Sequence, residues 1–568
     1  MPRFVYLLFW LALTACGGAE VDFARSLAVP APADLILRNG KIITVDRDFS
    51  IKQAVAIRDG LFIAVGSDRD VRVLAGPSTR VIDLGGRTVI PGLIDSNIHA
   101  TLAGTSWDGE LRWEKTRTLV DGLRQIAAAA KAQPPGSWIV VGGGWVPTQF
   151  AERRFPTRAD LDTVAPHHPV YIQYLRQGVL LNSAALKAAG ITAASPDRAG
   201  GKFERHPTTG ELTGWLQGAP AWEYVYRKLP PLSFDRVRQS LKNSFRELGR
   251  FGVTSVGDIH TGAVTFAHRR LLADMARAGE LDLRIHFYIA LDDGDLDPLK
   301  RTAQEIGQLK QNDFFRFAGY SATLTGGDGD VFDVPQTIAL DARAKERFRR
   351  MARLFAAEGY NFRVIAAQDS GVRQALDLLE EIHAATPFQR QRIAFAHLED
   401  ATQETLARIQ KLGGGISLTS RLALAGERYV EQRGLDKARN APPLRRMIEA
   451  AIPLGAGSGA FQSASYSPML SLWWLITGET VAGSAVRSPR QNLTRAEALR
   501  THTMGSAWLT FSEARKGSIE VEKFADLVVL NADYLSVPEE QLRSLESLMT
   551  VVGGRIVYAA GPLAQFKR

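Results

Sequence analysis

Eight short apolar runs, each followed by a helical stretch, limit the possible folds of this chain more than any other feature of its sequence. Strands that alternate with helices form a parallel sheet, because each helix carries the chain back to the start of the next strand. Eight such units are the number that closes a TIM-type (β/α)8 barrel. The predicted barrel strands are residues 88–95, 252–258, 283–290, 314–320, 361–366, 392–396, 415–419 and 452–457.

Both ends of the folded part have a different pattern, in which short alternating runs are joined by turns that contain Gly and Asp. This pattern is typical of antiparallel strands. We therefore predict a small composite β-sandwich from residues 33–87 and 506–562, attached to an α/β barrel over residues 88–505. The connection between the first two barrel strands is far longer than an ordinary loop, which predicts an inserted subdomain at about residues 101–239.

The amino terminus has the features of an export signal. Its apolar stretch, residues 4–13, is too short to span a bilayer. Cys16 follows a Leu-Thr-Ala sequence that resembles the bacterial lipobox, where cleavage exposes a cysteine for acylation. We predict a signal peptide over residues 1–15, lipidation of Cys16, and a polar tether over residues 16–32. The residue after the cysteine is Gly17 rather than Asp, and in this it resembles lipoproteins that are sorted to the outer membrane. We therefore expect a cell-envelope protein on the outer membrane, facing the periplasm.

Composition excludes several classes of protein. With 45% hydrophobic and 23% charged residues, the chain can bury a large core and is not mainly disordered. The 69 basic residues exceed the 60 acidic ones by only 9, and no run of five basic residues occurs, so nucleic acid is not an expected partner. Cys16 is the only cysteine, which excludes an intrachain disulfide, a cysteine zinc site and a cysteine nucleophile in the folded part.

The end of the first predicted barrel strand carries the motif Pro91-Gly92-Leu93-Ile94-Asp95-Ser96-Asn97-Ile98-His99. This motif resembles the Pro-Gly-x-Ile-Asp-x-His-x-His signature of the amidohydrolase superfamily. Two histidines spaced by one residue on a strand point to the same face and can bind one divalent metal. In this chain His99 occupies the position of the second histidine, whereas Asn97 occupies the position of the first.

The resemblance extends along nearly the whole folded chain and points to family 3 of that superfamily, which includes deformylase-like amide hydrolases. It is carried by residues 182–191 and 210–214 of the insertion and by residues 516–519 and 524–530 near the carboxyl end. It implies a (β/α)8 barrel that hydrolyses carbon–nitrogen bonds other than peptide bonds. It also implies zinc or another divalent metal that activates a hydroxide, with an aspartate at the eighth strand handling the proton.

At the positions where the family's metal ligands and catalytic groups are expected, this chain departs from the pattern. Asn97 is one departure, and Gln177 replaces a substrate-facing histidine of the insertion. The remaining departures are Arg316 for a carboxylated lysine of the fourth strand, Ile365 for a histidine of the fifth, Ala394 and Phe395 for a glutamate and histidine of the sixth, and Gly459 for the catalytic aspartate of the eighth. We therefore expect no metal cofactor, and no residue is assigned as catalytic.

Three histidines leave room for another interpretation. His99, His260 and His397 follow predicted strands and are weak candidate metal ligands, with His397 as a displaced ligand two residues past Phe395. Alternatively, each is an ordinary hydrogen-bonded polar residue, because a zinc site needs three or four ligands rather than one.

Our hypothesis is that the barrel mouth binds a small polar or anionic ligand instead of hydrolysing an amide. Three readings stay open: a non-catalytic ligand-binding or scaffold protein, a hydrolase that works without metal or with one weakly held ion, and a structural envelope protein. Arg316 could also pair with an aspartate and only hold strands together. The predicted ligand-binding residues are Asn97, His99, Gln177, Asp258, His260, Arg316 and Asp369.

Overall fold

A computed structural model describes residues 31–291, 296–324, 339–366, 368–388, 391–461 and 464–567, with the side chains of residues 296–298 left out. The predicted signal peptide, Cys16 and nearly all of the predicted tether lie outside the described residues. Within the described part, no helix has both the length and the apolar character needed to cross a bilayer.

The secondary structure alternates strands and helices over most of the chain. The strands are β1 (Leu35–Arg38), β2 (Lys41–Ile43), β3 (Ile51–Lys52), β4 (Ala54–Arg58), β5 (Leu61–Gly66), β6 (Arg80–Asp83), β7 (Thr88–Pro91), β8 (Leu93–Ile98), β9 (Glu110–Leu111), β10 (Ile139–Val141), β11 (Val170–Tyr174), β12 (Gly178–Leu181), β13 (Lys202–Arg205), β14 (Leu212–Gln217), β15 (Val253–His260), β16 (Arg284–Leu291), β17 (Phe315–Thr323), β18 (Phe362–Ala366), β19 (Ile393–His397), β20 (Gly415–Thr419), β21 (Leu454–Gly457), β22 (Leu527–Leu530), β23 (Ser547–Val552) and β24 (Arg555–Ala559). The helices are α1 (Asp68–Arg72), α2 (Ala100–Gly104), α3 (Leu119–Ala132), α4 (Arg158–Val164), α5 (Ser183–Ala189), α6 (Ala219–Tyr226), α7 (Phe234–Arg250), α8 (Phe266–Arg277), α9 (Leu296–Gln308), α10 (Ala342–Glu358), α11 (Asp369–Ala385), α12 (Gln403–Lys411), α13 (Leu422–Arg433), α14 (Leu435–Ala438), α15 (Leu444–Glu449), α16 (Pro468–Thr477), α17 (Arg495–Arg500), α18 (Ser506–Leu509) and α19 (Glu539–Leu542).

The barrel is confirmed. Its eight strands form one sheet in the order β21-β20-β19-β18-β17-β16-β15-β8, and each adjacent pair is parallel. The two outer strands of this sheet meet where Ser458 N donates a hydrogen bond to Asp95 Oδ1 at 3.0 Å and Gly459 N donates to Asn97 O at 2.8 Å. Outward-facing side chains pack under the helices in one large core, whereas Ile259, Tyr288 and Ala318 form a small separate cluster inside the barrel.

The first predicted barrel strand is in fact two strands. Thr88–Pro91 belongs to the composite β domain, where it pairs with β2 and β22, and the barrel begins at Leu93–Ile98. Gly92 allows this change of sheet, because a Cβ at this position would lie 2.1 Å from Thr254 Oγ1 of β15. Sequence periodicity did not reveal the break, since both halves are apolar and buried.

The composite domain joins both ends of the described chain, as predicted. One of its sheets has the order β5-β4-β1-β6 and the other the order β24-β23-β22-β7-β2-β3. Leu37 and Val55 from the amino-terminal part share a buried core with Val529 and Val551 from the carboxyl-terminal part. Neither part can bury its apolar face alone, which explains why both are needed.

The insertion between β8 and β15 contains its own sheet, in the order β13-β14-β12-β11-β10-β9. Its motif at residues 182–191 has a local structural role. Asn182 caps α5 by accepting a hydrogen bond from Ala185 N at 2.9 Å, and Gly190 ends the helix in the left-handed conformation with a φ of 71°. The two motif residues therefore define one helix rather than a reactive site.

Candidate active site

A cleft lies between the inserted sheet and the carboxyl end of the first barrel strand. The space between its walls, including open solvent at its mouth, is about 540 Å³. His99, at the start of α2, lines it from the barrel side, and its Nδ1 lies 3.0 Å from Ile259 O. The other residues that line the cleft are Leu102, Ala103, Ser106, Glu110, Arg112, Val140, Val141, Gly142, Gly143, Tyr171, Gln173, Arg176, Tyr226 and Phe461.

An ion pair forms part of the cleft wall. Arg112 Nη2 lies 2.7 Å from Glu110 Oε2, and Glu110 Oε1 accepts a hydrogen bond from Ser106 Oγ at 2.5 Å. The Arg112 guanidinium also lies over the Trp107 ring, 4.3 Å from its centroid. Gly142 leaves the space for this pair, since a Cβ there would lie 2.5 Å from Arg112 Nη1 and 2.8 Å from Glu110 Oε2.

Aromatic hydroxyls and a second arginine complete the side of the cleft formed by the insertion. The Tyr171 hydroxyl donates a hydrogen bond to Gln173 Oε1 at 2.6 Å, which orients the buried amide. Burial, together with the Glu110 carboxylate, raises the pKa of Tyr226 to about 12, although the charges of Arg112 and Arg176 act in the opposite direction. The charges of Glu110, Arg112 and Arg176 therefore all act on the Tyr226 hydroxyl.

The barrel interior below His99 holds a buried arginine that the sequence analysis did not assign. Arg363 of β18 is fully buried, its Nη2 donates to Ser96 O at 2.8 Å across the barrel, and its guanidinium lies 4.4 Å from the Tyr288 ring centroid. Burial lowers its pKa, while the Tyr288 hydroxyl and the Asp95 carboxylate act to raise it. A guanidinium thus lies among the strands that would carry metal ligands in the family pattern.

His397 ends β19 in an uncommon backbone conformation. Its φ is 81° and that of Leu398 is 60°, which places two consecutive non-glycine residues in the left-handed region. His397 Nδ1 lies 3.0 Å from Thr419 Oγ1. Burial and the nearby charges of Arg421 and Arg363 lower its pKa well below the usual range, so the imidazole is neutral.

Arg316 is not at the barrel mouth, which corrects the sequence-based prediction. It is the second residue of β17, it pairs with His286, and its side chain is exposed. The strand continues to Thr323, so Arg316 lies roughly 20 Å from the carboxyl end of the strand. The prediction ended this strand at residue 320 and so placed its carboxyl end too early.

Asp258 and His260 also differ from the prediction, because they face away from the barrel interior. Asp258 is in register with Phe287, whose ring stacks on His260 at 4.9 Å and packs in the outer core. Asp258 Oδ2 accepts hydrogen bonds from Thr101 N at 3.0 Å and Thr101 Oγ1 at 2.5 Å, and His260 Nε2 lies 3.0 Å away. Both residues are fully buried and hold α2 against β15, so neither belongs to a ligand site.

The sixth barrel strand presents alanines, not Phe395, to the barrel interior. Ala394 is in register with Arg363 and Ala396 with Ile365, whereas Phe395 is in register with the outer core residue Ile416. Ile365 faces the interior, as expected for the place of a histidine. Phe395 therefore does not occupy a position from which a metal ligand would point into the barrel, because alternate residues of a strand face opposite sides.

Asp369 and Gln177 lie outside the cleft as well. The Asp369 carboxylate accepts a hydrogen bond from Thr402 N at 2.8 Å and lies 3.3 Å from Arg373, so it joins the start of α11 to the start of α12. Gln177 lines a neighbouring groove with Trp215 and Arg428. Asn97 is buried beside Gly459, and of the seven predicted ligand-binding residues only His99 lines the cleft.

The comparison with known families decides what kind of barrel this is. The model described as "Amidohydrolase family" matches residues 80–558. The chain belongs to the amidohydrolase family. The resemblance inferred from the motifs is therefore confirmed.

Individual proteins are also similar to this amidohydrolase in sequence or in structure. One relative is the N-substituted formamide deformylase of Arthrobacter pascens, 28% identical over 548 residues that cover 92% of this chain and 98% of the relative. An uncharacterized metal-dependent hydrolase from Pyrococcus horikoshii has a similar structure, with a TM-score of 0.65, 20% identity, and coverage of 89% of this chain and 99% of that chain. Atrazine chlorohydrolase TrzN from Arthrobacter aurescens, complexed with zinc, has a TM-score of 0.53, 16% identity, and coverage of 92% and 95%. At these identities the solved structures show the shared fold.

The described residues around His99 do not fit the metal that the family implies. Within the described ranges, no group of three His, Cys, Asp or Glu side chains lies close enough to hold a metal ion. His99 and His397 face the same region, but His260 points away from it, and Arg363 adds a positive charge. We therefore derive no reaction step through a metal at this site.

The site residues predicted from the sequence did not include Arg112, Arg176 or Arg363. One signal was available for Arg112, since Glu110 and Arg112 alternate on one short extended run and so point to the same side. Arg363 interrupts an otherwise apolar strand, and a charge at such a position has to find a partner inside the barrel.

Proposed function

We propose that this amidohydrolase binds a small polar ligand in the cleft under the inserted sheet and has lost divalent-metal-dependent hydrolysis of carbon–nitrogen bonds. Its relative in Arthrobacter pascens is named as an N-substituted formamide deformylase, which gives the inherited reaction class. The observation that carries the proposal is Arg363, a buried guanidinium among the strands where the family would place its cation.

The electrostatics of the barrel interior support this proposal. A fixed positive charge in a poorly screened interior opposes a divalent cation. Burial and the charges of Arg421 and Arg363 lower the pKa of His397 and keep its imidazole neutral. The Asp95 carboxylate accepts hydrogen bonds from two backbone N–H groups, those of Asn97 at 3.1 Å and Ser458 at 3.0 Å.

Metal content under saturating supply tests the proposal directly. The purified protein would be incubated with zinc and, separately, with manganese, then dialysed and analysed by mass spectrometry of the elements, with an N-substituted formamide as the activity substrate. We expect substoichiometric metal and no metal-stimulated hydrolysis. One metal ion per chain together with metal-dependent turnover would overturn the proposal.

A second candidate function is hydrolysis without metal, favoured by the 3.0 Å distance between His397 Nδ1 and the Thr419 hydroxyl oxygen. This distance is within the hydrogen-bond reach that a general base needs to activate a hydroxyl nucleophile. Turnover of an amide that persists in excess chelator and disappears in His397→Gln and Thr419→Ala would establish this function. Absence of turnover in the wild-type protein under these conditions would exclude it in favour of ligand binding alone.

We also propose that Cys16 is acylated and anchors the protein to the outer membrane on its periplasmic side. The supporting observations are the position of the only cysteine and the apolar stretch before it. Mass spectrometry of the mature amino terminus tests this proposal, because Cys16→Ser should remove the acyl mass and release the protein from the membrane fraction. A mature chain that begins elsewhere and carries no lipid would contradict it.

A further inference from the structure

We propose that a groove on the inserted sheet, separate from the cleft, is a binding site for a neutral saccharide ring. Glu204, Trp215 and Gln177 line this groove. The β11–β12 hairpin contributes to both sites, since Gln173 lines the cleft whereas Gln177 lines the groove. The space between the walls of the groove, including open solvent, is about 840 Å³, which leaves room for a small molecule. The inference goes beyond the proposed function, because it concerns a second site.

Three aromatic side chains form one wall of the groove. The Phe155 ring stands edge-on to the Tyr174 ring, with centroids 4.8 Å apart, and edge-on to the Trp215 ring, with centroids 5.1 Å apart. All three side chains are half-buried and pack on the core of the insertion, so their rings are held in place and are still partly accessible. A sugar ring presents a flat face of C–H groups, which packs on an aromatic ring as other apolar surfaces do.

A carboxylate lies beside this aromatic wall and can accept hydrogen bonds from a ligand. Glu204 Oε2 accepts a hydrogen bond from Thr213 Oγ1 at 2.6 Å, and Glu204 Oε1 accepts one from Gln217 Nε2 at 3.2 Å. Thr213, Trp215 and Gln217 alternate along β14, so the carboxylate lies on the same face of the sheet as the Trp215 ring. Because a carboxylate offers about four acceptor sites, about two are left for the hydroxyl groups of a ligand.

Gln177 supplies a hydrogen-bond donor to the same groove. Its Nε2 is buried and has no hydrogen-bond partner among the residues that the structure describes. A buried amide N–H without an acceptor is costly, so a ligand oxygen that reaches it gains a hydrogen bond at little expense. A saccharide hydroxyl both donates and accepts, and a ring with several hydroxyls can therefore donate to Glu204 and accept from Gln177.

The charged side chains around the groove favour a neutral ligand. Glu204 repels an anion, and each of its oxygens already has a neutral donor, so it does not require a cation. Arg428 of α13 also lines the groove, and its charge acts against a cation. Lys202 is in register with Gln217 but is exposed and outside the lining, where water screens its charge.

A proline-rich peptide is the other ligand that aromatic grooves commonly hold. Its proline residues have carbonyl groups but no backbone N–H, so they cannot donate a hydrogen bond to the Glu204 carboxylate. A saccharide uses both the carboxylate and the aromatic wall. The polar groups of the groove therefore favour the saccharide.

Probes that share one ring but differ in charge test this proposal. Glucose and galactose are neutral, glucosamine and galactosamine carry an ammonium group, and glucuronate and galacturonate carry a carboxylate. Cyclohexanol lacks all but one of the hydroxyls, and a short polyproline peptide supplies the alternative ligand. Calorimetry on the full chain measures binding. We expect glucose or galactose to bind at millimolar or lower concentration, and its charged counterparts, cyclohexanol and the peptide to bind at least about tenfold more weakly.

No binding of either neutral sugar would overturn the proposal. Equal or tighter binding of a charged sugar, of cyclohexanol or of the peptide would also overturn it, because the groove would then select a different chemistry. Saturation transfer measured by NMR gives a second readout. We expect the strongest transfer from the protein to the C–H protons of the bound sugar ring, since these lie against the aromatic wall.

Variants then locate the bound sugar. Trp215→Ala should weaken sugar binding about tenfold or more, because it removes the largest ring of the aromatic wall. Gln177→Ala should weaken it about fivefold, because it removes the amide donor. Phe234→Ala removes an exposed ring of α7 that does not line the groove, so it is the matched control and should leave the affinity unchanged.

Unchanged sugar binding in both Trp215→Ala and Gln177→Ala would place the sugar elsewhere and overturn the assignment. Circular dichroism of each variant establishes that it is folded, and Gln177→Ala keeps the test decisive if Trp215→Ala does not fold. These measurements involve neither metal nor the cleft. Failure of the saccharide proposal is therefore distinguishable from failure of the proposed function.

Discussion

Arg284, the first residue of the barrel strand β16, donates two hydrogen bonds to the carboxylate of Asp526, from Nε at 2.8 Å and from Nη2 at 3.1 Å. Asp526 directly precedes β22 of the composite domain, and its Oδ1 also accepts a hydrogen bond from Gly553 N at 2.7 Å. The Arg284 guanidinium lies 3.9 Å from the ring centroid of Phe524. This buried bidentate pair joins the composite domain to the amino-terminal end of the barrel.

Removal of the Asp526 carboxylate should therefore destabilise the protein strongly. We expect Asp526→Ala to lower the free energy of unfolding by about 3 to 5 kcal/mol, because the buried Arg284 charge loses its partner. Urea denaturation would measure the effect. The double variant Arg284→Met/Asp526→Leu should lose less than Asp526→Ala, since no unpaired charge remains. A loss below about 1 kcal/mol in Asp526→Ala would mean that the pair contributes little to holding the two domains together.

Arg316 should be dispensable for stability. Its side chain is exposed at the start of β17, so we expect Arg316→Gln to change the free energy of unfolding by no more than about 0.5 kcal/mol. Burial lowers the pKa of His286 and of Lys516, and the Arg316 charge acts in the same direction. Urea denaturation would measure the effect, and a loss above about 1 kcal/mol in Arg316→Gln would contradict this expectation.

Asp258 should be required for stability. The charge and hydrogen bonds of His260, with those of Thr101, lower the pKa of the Asp258 carboxyl in spite of its burial. We expect Asp258→Ala to cost about 3 kcal/mol in thermal or urea unfolding, because the Thr101 N–H at the start of α2 and the His260 side chain lose a buried acceptor. An Asp258→Ala variant as stable as the wild-type protein would contradict this role.

His502 should make stability depend on pH in the mildly acidic range. It lies fully buried near β8, where burial lowers the pKa of its imidazole to about 4, and its Nε2 lies 2.8 Å from Ser471 Oγ. The unfolded chain binds a proton near pH 6.5, whereas the folded protein resists protonation, so stability is full above about pH 6.5 and falls as the pH drops towards about 4.

The expected loss over that range from His502 alone is about 3 kcal/mol. His502→Gln removes the titrating group while keeping a hydrogen-bonding side chain. We expect urea unfolding between about pH 4.5 and about pH 7 to show a weaker pH dependence in His502→Gln than in the wild-type protein. Parallel curves for the two proteins would assign the acid sensitivity to other groups.

The positions of the barrel strands could be predicted from the sequence within a few residues, because an apolar run between turns leaves little freedom. The end of β17 was the consequential error. Residues 321–323 are small and only weakly apolar, so the predicted strand ended at residue 320. Arg316 was therefore predicted to lie nearer to the barrel mouth than it does. A bulge between Phe287 and Tyr288 in the pairing with this strand further shifts the register, and no periodicity in a single strand can show such a shift.

The amino-acid sequence alone determined the barrel, the joining of the two ends in one β domain, the presence of an insertion and the family, since each depends on local patterns and ordered motifs. Only the tertiary structure decided which side chains share a site. Asp258 and His260 were predicted to line the barrel mouth, but the alternation of side chains along β15 directs both of them outward, towards α2. Arg112 and Arg176 enter the cleft because the inserted sheet folds back over β8, and Arg363 reaches Ser96 because the barrel closes. Such contacts join residues far apart in the chain, and their chemistry follows from packing rather than from spacing.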